Sequence, residues 1–164
     1  MSTKITFDLD GTLFNLYGRK NWLEMLQNEQ AGAFTTEGLE NNGFMPEINI
    51  SKLYTVVSRL MEAGVTFCVT TWLPMQASPE YEEICRQEKI AWIRQYLPFV
   101  SEINVVSYGI PKQNAIQKRA KKMYLIDDNT EVCKMWETNC SRIAKNVNEF
   151  FTVIDALEEI LNEE

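Results

Sequence analysis

The chain has 164 residues, 45% hydrophobic and 24% charged, enough for one domain with a real core and typical of an ordinary globular protein. Its formal net charge of −7 argues against a large duplex nucleic-acid footprint. It contains no histidine, which removes Ser-His and Cys-His nucleophile mechanisms and every histidine-based metal site. Catalysis, if there is any, must be run by carboxylates, lysine, hydroxyls and metal. Met1-Ser2-Thr3-Lys4 leads straight into an apolar run, so no signal peptide is expected. No apolar run approaches the roughly 20 residues that span a bilayer. Cys68, Cys85, Cys133 and Cys140 form no Cys-x-x-Cys pair and read as reduced thiols of a cytoplasmic protein.

Ile5-Thr6-Phe7 reads as the first strand, followed at once by Asp8-Leu9-Asp10-Gly11-Thr12. Residues 15–49 interrupt the pattern with a helix-like piece (Trp22, Leu23, Leu26) and a Gly- and Asn-rich stretch, Gly32 to Gly43. Segments of that length between core elements are usually functional, so a small helical cap or lid is expected here. Ser51 is positioned to cap a helix whose apolar stripe is Leu53, Val56, Val57, Leu60 and Met61, with Gly64 as its stop. Val65–Val69 reads as the second strand and ends in Thr70-Thr71-Trp72. Ser78-Pro79-Glu80 opens a helix expected to reach Tyr96 and to bury Ile84, Ile93 and Leu97. A strand over Ile103–Val106, a helix over Lys112–Lys121 and a strand over Tyr124–Ile126 follow, the last ending in Asp127-Asp128. A helix near Glu131–Glu137, a short extended piece near Ile143 and a final helix complete the chain. That last helix is expected to bury Phe150, Phe151, Ile154, Leu157 and Leu161. The alternation predicts an α/β fold with a mostly parallel sheet and helices on both faces.

Two carboxylates at a strand's C-terminal end lie where ligands bind in α/β sheets. Crowded there they repel, and a hard divalent cation such as Mg²⁺ is the usual remedy. Thr70, Thr71, Lys112 and the Asp127-Asp128 pair belong to further edges of the same sheet. Each alone has a plain explanation: a strand terminus, a solvated first turn, a helix N-cap. Together they supply carboxylates for Mg²⁺ and an ammonium, hydroxyls and backbone N–H groups for phosphate oxygens, the equipment of phosphoryl transfer.

The ordered set Asp8-x-Asp10-Gly11-Thr12, Thr70, Lys112 and Leu125-Ile126-Asp127-Asp128 resembles the four motifs of the haloacid dehalogenase superfamily. The resemblance implies one domain over residues 1–164: a Rossmann-like three-layer sandwich, with 15–49 as a small helical cap after the first strand and 50–164 as the remainder of the core. It implies a phosphatase in which Asp8 is the nucleophile and forms an aspartyl-phosphate, while Asp10 protonates the leaving oxygen and then activates water. Gly11, Thr12, Thr70, Thr71 and Lys112 would hold phosphate. Asp8, the Asp10 carbonyl and Asp128 would hold Mg²⁺, with Asp127 behind them. An acid at position 10 fits phosphatases and phosphomutases within the superfamily. The short insertion resembles the small helical cap of some phosphatases, including 5′-deoxyribonucleotidases, so a 5′-nucleotidase is one expectation, and the whole chain is similar to small prophage-type members of the superfamily.

Phe14, Tyr17 and Trp72 are candidates to stack on a nucleobase or to pack the core and cap. Thr71-Trp72 stands where small residues often follow the strand-ending hydroxyl in the family. Competing readings are a receiver-like signalling module, whose motif order would be reversed, an idle binding protein that kept the site, and a nucleic-acid end phosphatase. The last rests on Lys118-Arg119-Ala120-Lys121-Lys122 alone, which on a helix is ordinarily a solvated basic face.

Overall fold

In the computed structural model, which describes residues 2–164, five strands form one sheet in which every neighbouring pair is parallel. They are β1 (Thr3–Phe7), β2 (Thr66–Trp72), β3 (Glu102–Val106), β4 (Lys122–Asp127) and β5 (Arg142–Asn146), in the order β3-β2-β1-β4-β5. The helices are α1 (Trp22–Gln27), α2 (Ile50–Glu62), α3 (Pro79–Tyr96), α4 (Lys112–Ala115), α5 (Thr130–Trp136) and α6 (Val153–Glu163). β1, β2 and β4 are buried almost throughout, as strands covered on both faces must be. Ile5, Phe7, Phe67, Val69, Tyr124 and Ile126 join one core with residues of α2, α3 and α6. Cys68, Met123 and Leu125 belong to a second core with Ile116, Val132 and Trp136. The result is an α/β, Rossmann-like three-layer sandwich. All four cysteines are free thiols. Among the described residues no helix is long and apolar enough to cross a membrane.

The chain winds outward from β1 to β3, then returns to β4 on the other side of β1. A crevice opens at the C-terminal ends of β1 and β4, where the winding reverses. The register pairs Phe7 with both Val69 and Ile126, and the Asp8 N–H donates to the Ile126 carbonyl at 3.0 Å. Asp8 and Asp127 therefore emerge side by side.

Several local expectations need correction. Asn49 caps α2, its side chain accepting from the Lys52 N–H, so Ser51 lies inside the helix, and Met61 is exposed. The core-facing stripe of α3 is Tyr81, Cys85, Lys89, Trp92 and Ile93, a 3.6-residue periodicity that leaves Ile84 outside it and exposed. The helix expected over Lys112–Lys121 ends at Ala115. Ile116 turns extended and enters the second core, and the Glu102 carboxylate accepts from the Gln117 and Lys118 N–H groups, drawing the chain along β3. The basic run 118–122 is thus not a helix face but the approach to β4. A capping box between Thr152 and Asp155 starts α6 at Val153, which leaves Phe150 88% exposed and Phe151 and Leu161 half-buried.

Between β1 and α2 the chain carries α1 and a 3₁₀ turn at Asn41–Gly43. This stretch is fastened along α3. Glu29 accepts from the Ser78 N–H and hydroxyl, Tyr81 donates to the Gln30 carbonyl, Glu88 accepts from the Gly32 and Phe34 N–H groups, and Trp92 donates to the Asn42 carbonyl. Arg19 stitches it internally through the carbonyls of Ala33, Thr35 and Glu37.

Candidate functional site

Asp8, Asp10, Thr71, Lys112, Asp127 and Asp128 share the wall of one cavity of about 480 Å³. The turn that presents the first two is closed by the Leu9 carbonyl, which accepts from the N–H groups of Thr12, Leu13 and Phe14. Gly11 has φ +80°, and a Cβ there would lie 2.7 Å from Asp128 Oδ2 and 2.8 Å from the Tyr17 ring. Only glycine fits that position at no cost. The Thr12 hydroxyl lies 2.9 Å from Asp8 Oδ2 and 3.1 Å from Asp128 Oδ1, and accepts from the Asp128 N–H at 3.1 Å. It ties the two carboxylate-bearing turns together from beneath and takes no part in the cavity wall.

Lys112 stands at the start of α4 with its side chain nearly fully buried. Its Nζ donates to Asp8 Oδ1 at 2.6 Å and to Asp127 Oδ2 at 2.8 Å. Burial opposes its charge, yet Asp8 and Asp127 hold the ammonium above its ordinary value. The other Asp127 oxygen accepts from the Asn129 N–H at 2.9 Å. Burial, then the charge of Asp8, pushes Asp127 up to about 6. Burial, then the charges of Asp8 and Asp127, pushes Asp128 up to about 7. One oxygen from each of Asp8, Asp127 and Asp128 lies within 4.8 Å of the others. Such a set of hard oxygen donors is what divalent cations such as Mg²⁺ or Ca²⁺ take.

The two threonines separate. Thr71 is in the cavity wall, whereas Thr70 is fully buried and absent from it. The Thr70 hydroxyl sits 3.3 Å from Asn104 Nδ2 and 3.6 Å from Cys68 Sγ, engaged with the neighbouring strand. The Thr71 hydroxyl accepts at 2.9 Å from a residue that no motif marked, Lys89 of α3. Lys89 is fully buried and also donates to Asp10 Oδ2 at 2.8 Å and to the Trp72 carbonyl at 2.6 Å. Burial raises the Asp10 carboxyl and the Lys89 charge works against that rise. A signal for Lys89 exists in the sequence: it occupies a core position of the α3 stripe, between Cys85 and Trp92, where an unpaired lysine is untenable.

The floor thus sets four carboxyl groups (Asp8, Asp10, Asp127, Asp128) against two ammonium groups (Lys89, Lys112), an excess of two negative charges when all four are ionised. Above it the wall turns apolar. Tyr17, Trp22, Leu23 and Leu26 come from one side, and Trp72, Met75 and Tyr108 from the other. Tyr17 packs edge-on against Trp22 with ring centroids 4.8 Å apart, and Trp72 lies 5.0 Å from Tyr108. The Trp72 indole donates to the Ile110 carbonyl at 2.7 Å, so the ring is fixed as a wall. Phe14 is not at the site. It is buried between Phe34 and Trp92 and belongs to the core, which removes it as a stacking residue. Lys118, Arg119 and Lys121 form no part of the cavity wall. No protein-family model matches the sequence, and no curated protein matches it.

Proposed function

We propose that the chain is a Mg²⁺-dependent phosphomonoester hydrolase of the haloacid dehalogenase type, with Asp8 as its nucleophile. The observation that carries this reading is the setting of Asp8. Its two oxygens are held by Lys112 and Thr12 at a strand's C-terminal end, with Asp10, Asp127 and Asp128 around the same cavity. A carboxylate oxygen of Asp8 attacks phosphorus and the P–O bond to the leaving group breaks. Asp10 gives that oxygen its proton, then takes a proton from the water that cleaves the aspartyl-phosphate. Lys112 balances charge on Asp8 and the phosphoryl oxygens. The Thr71 hydroxyl, which accepts from Lys89, keeps its own proton to donate to phosphate.

The donor set fits Mg²⁺, because a phosphate dianion entering a floor where carboxylates outnumber ammonium groups is repelled unless positive charge is added. Asp8, Asp128 and the Asp10 carbonyl would hold the ion, with Asp127 oriented behind them by Lys112 and Asn129. Bound there, it supplies charge neutralisation for the transferring phosphoryl group. The aromatic walls suit a small ester with a planar or apolar leaving group, and a nucleoside monophosphate is the first candidate. The basic run 118–122 lies away from the wall and lends no support to a nucleic-acid end phosphatase.

The test is phosphate release from nucleotides, sugar phosphates, aryl phosphates and phosphorylated oligonucleotides, with Mg²⁺ and with chelator. Turnover should vanish with chelator, and Asp8→Asn should lower it on the order of 10⁴-fold or more. Undiminished turnover in Asp8→Asn would remove Asp8 as nucleophile, and silence across the whole panel would remove the hydrolase reading.

A further inference from the structure

We infer that Lys89 is a positioning residue for Asp10, holding its carboxyl in the cavity wall for proton transfer. The inference rests on the hydrolase reading above. An ammonium with no solvent exposure is strongly unfavourable unless its charge and all its donors are met. Lys89 meets every one of these demands. Its three N–H groups have three acceptors: Asp10 Oδ2, the Thr71 hydroxyl and the Trp72 carbonyl. The Phe34 ring covers the ammonium with its centroid 4.5 Å from Nζ. The adjacent Glu88 grips the Phe34 N–H, so one turn of α3 fixes both the cation and its cover. Nothing in this shell is left to rotate.

Asp10 is treated asymmetrically. Oδ2 is anchored, while Oδ1 is buried without a hydrogen-bond partner. Among the described residues, Thr6 Oγ1 is the one other buried side-chain polar atom in that condition. Oδ1 is sealed from the cavity and receives no donor, so the Lys89 contact is what holds this carboxyl in place. In the forward step the proton passes from the Asp10 carboxyl to the leaving oxygen, which receives the electron pair of the breaking P–O bond. The carboxylate left behind is already paired with Lys89. In the second step the Asp10 carboxylate recovers a proton from the attacking water, and Lys89 keeps all three of its own throughout.

The role can be separated from mere support by varying how much the leaving group needs a proton. An alkyl phosphate needs one, and p-nitrophenyl phosphate does not. kcat/KM reports events through departure of the leaving group, so it isolates the acid step. Lys89→Met should lower kcat/KM for the alkyl ester about 100-fold. It should lower kcat/KM for p-nitrophenyl phosphate by less than about fivefold. In an Asp10→Asn background, where no proton is delivered, adding Lys89→Met should leave the alkyl-to-aryl ratio within about twofold. The double variant removes both partners of the buried pair, so it decides the matter even if Lys89→Met alone does not fold. Equal losses on the two esters, no loss on either, or a further fall of the ratio in the Asp10→Asn background would overturn the inference. Failure of the hydrolase reading looks different: the wild-type chain then releases phosphate from neither ester.

Discussion

Lys112 and Lys89 bind the two ends of the same Asp8-Leu9-Asp10 turn, yet they solve different electrostatic problems. Lys112 reaches in from α4 and is shared between Asp8 and Asp127. Lys89 reaches in from α3 and serves one carboxylate, Asp10, together with two neutral oxygens. A shared ammonium cannot balance the acids around it, and the charges of Asp8 and Asp127 add to the rise that burial imposes on Asp128. A dedicated ammonium leaves no such excess. The cavity floor is therefore polarised, with net negative charge at Asp8, Asp127 and Asp128 and a matched pair at Asp10. In the proposed mechanism, added positive charge belongs at the first cluster and proton transfer at the second.

Removing the shared cation should have the largest effect of the tests that follow. Lys112→Met leaves three crowded carboxylates without an ammonium. Losing one partner of a buried pair costs roughly 3–5 kcal/mol. In a domain of this size that lowers Tm by on the order of 10 °C, measured in chelator. Phosphate release should fall by at least about 100-fold. Millimolar Mg²⁺ should restore at least half of the lost Tm, because a cation at the same carboxylates takes over the balancing. A Tm deficit that is the same with and without Mg²⁺ would mean that Lys112 is not compensating a cation-binding cluster.

The contrast between the lysines also marks what the sequence made legible. Asp8, Asp10, Asp127 and Asp128 follow strands, and a strand's C-terminal edge can be read from a short apolar run followed by polar residues. Lys112 stood out because it begins a helix directly after a strand and loop. Lys89 sits mid-helix, and its place in the α3 stripe marks it as a buried, paired lysine without saying which groups it meets. Its partners are distant in sequence, 79 residues away for Asp10. Choosing between Thr70 and Thr71 was equally out of reach, since adjacent strand residues face opposite sides and a one-residue shift in register exchanges them. The short α4 had the same cause: the carboxylate that pulls Gln117 and Lys118 out of a helix belongs to Glu102, on another element. The strands and their C-terminal edges came from local pattern, while the positions set by long-range polar contacts did not.

Trp72 links the two lysines. Its carbonyl accepts from Lys89, and its ring centroid lies 5.5 Å from the Lys112 Nζ. A change to its side chain therefore disturbs the rim above the unbalanced cluster without removing the Lys89 contact, which is to backbone. Base-to-aromatic stacking contributes about 1–3 kcal/mol, so Trp72→Leu should raise KM for a nucleoside monophosphate roughly tenfold or more. KM for glycerol phosphate, which has no ring to stack, should move by less than about twofold. Parallel changes for both substrates would show that the indole shapes the floor and not the recognition of the leaving group.

The smallest expected effect is on stability, and it probes the unbalanced cluster directly. Asp128 is raised from 3.8 to about 7, burial first and then the charges of Asp8 and Asp127. The folded chain therefore holds this proton more tightly than the unfolded chain does. That preference stabilises fully below the ordinary carboxylate value and is lost as pH rises through about 7. Asp127 acts in the same sense, its loss complete once pH has passed about 6. In chelator, the Tm of the wild-type chain should thus decline between about pH 5 and pH 8. Asp128→Asn carries no titrating proton at that position and also relieves the repulsion on Asp8 and Asp127, so its decline should be visibly shallower and its Tm at pH 8 higher than wild type. Because Asp128 is partly open to solvent, the difference should amount to a few degrees at most. Matching slopes in the two proteins would place the strain elsewhere than at Asp128. The balanced half of the floor would then be the one that distinguishes this site, since the Lys89–Asp10 pair does not depend on the charge at position 128.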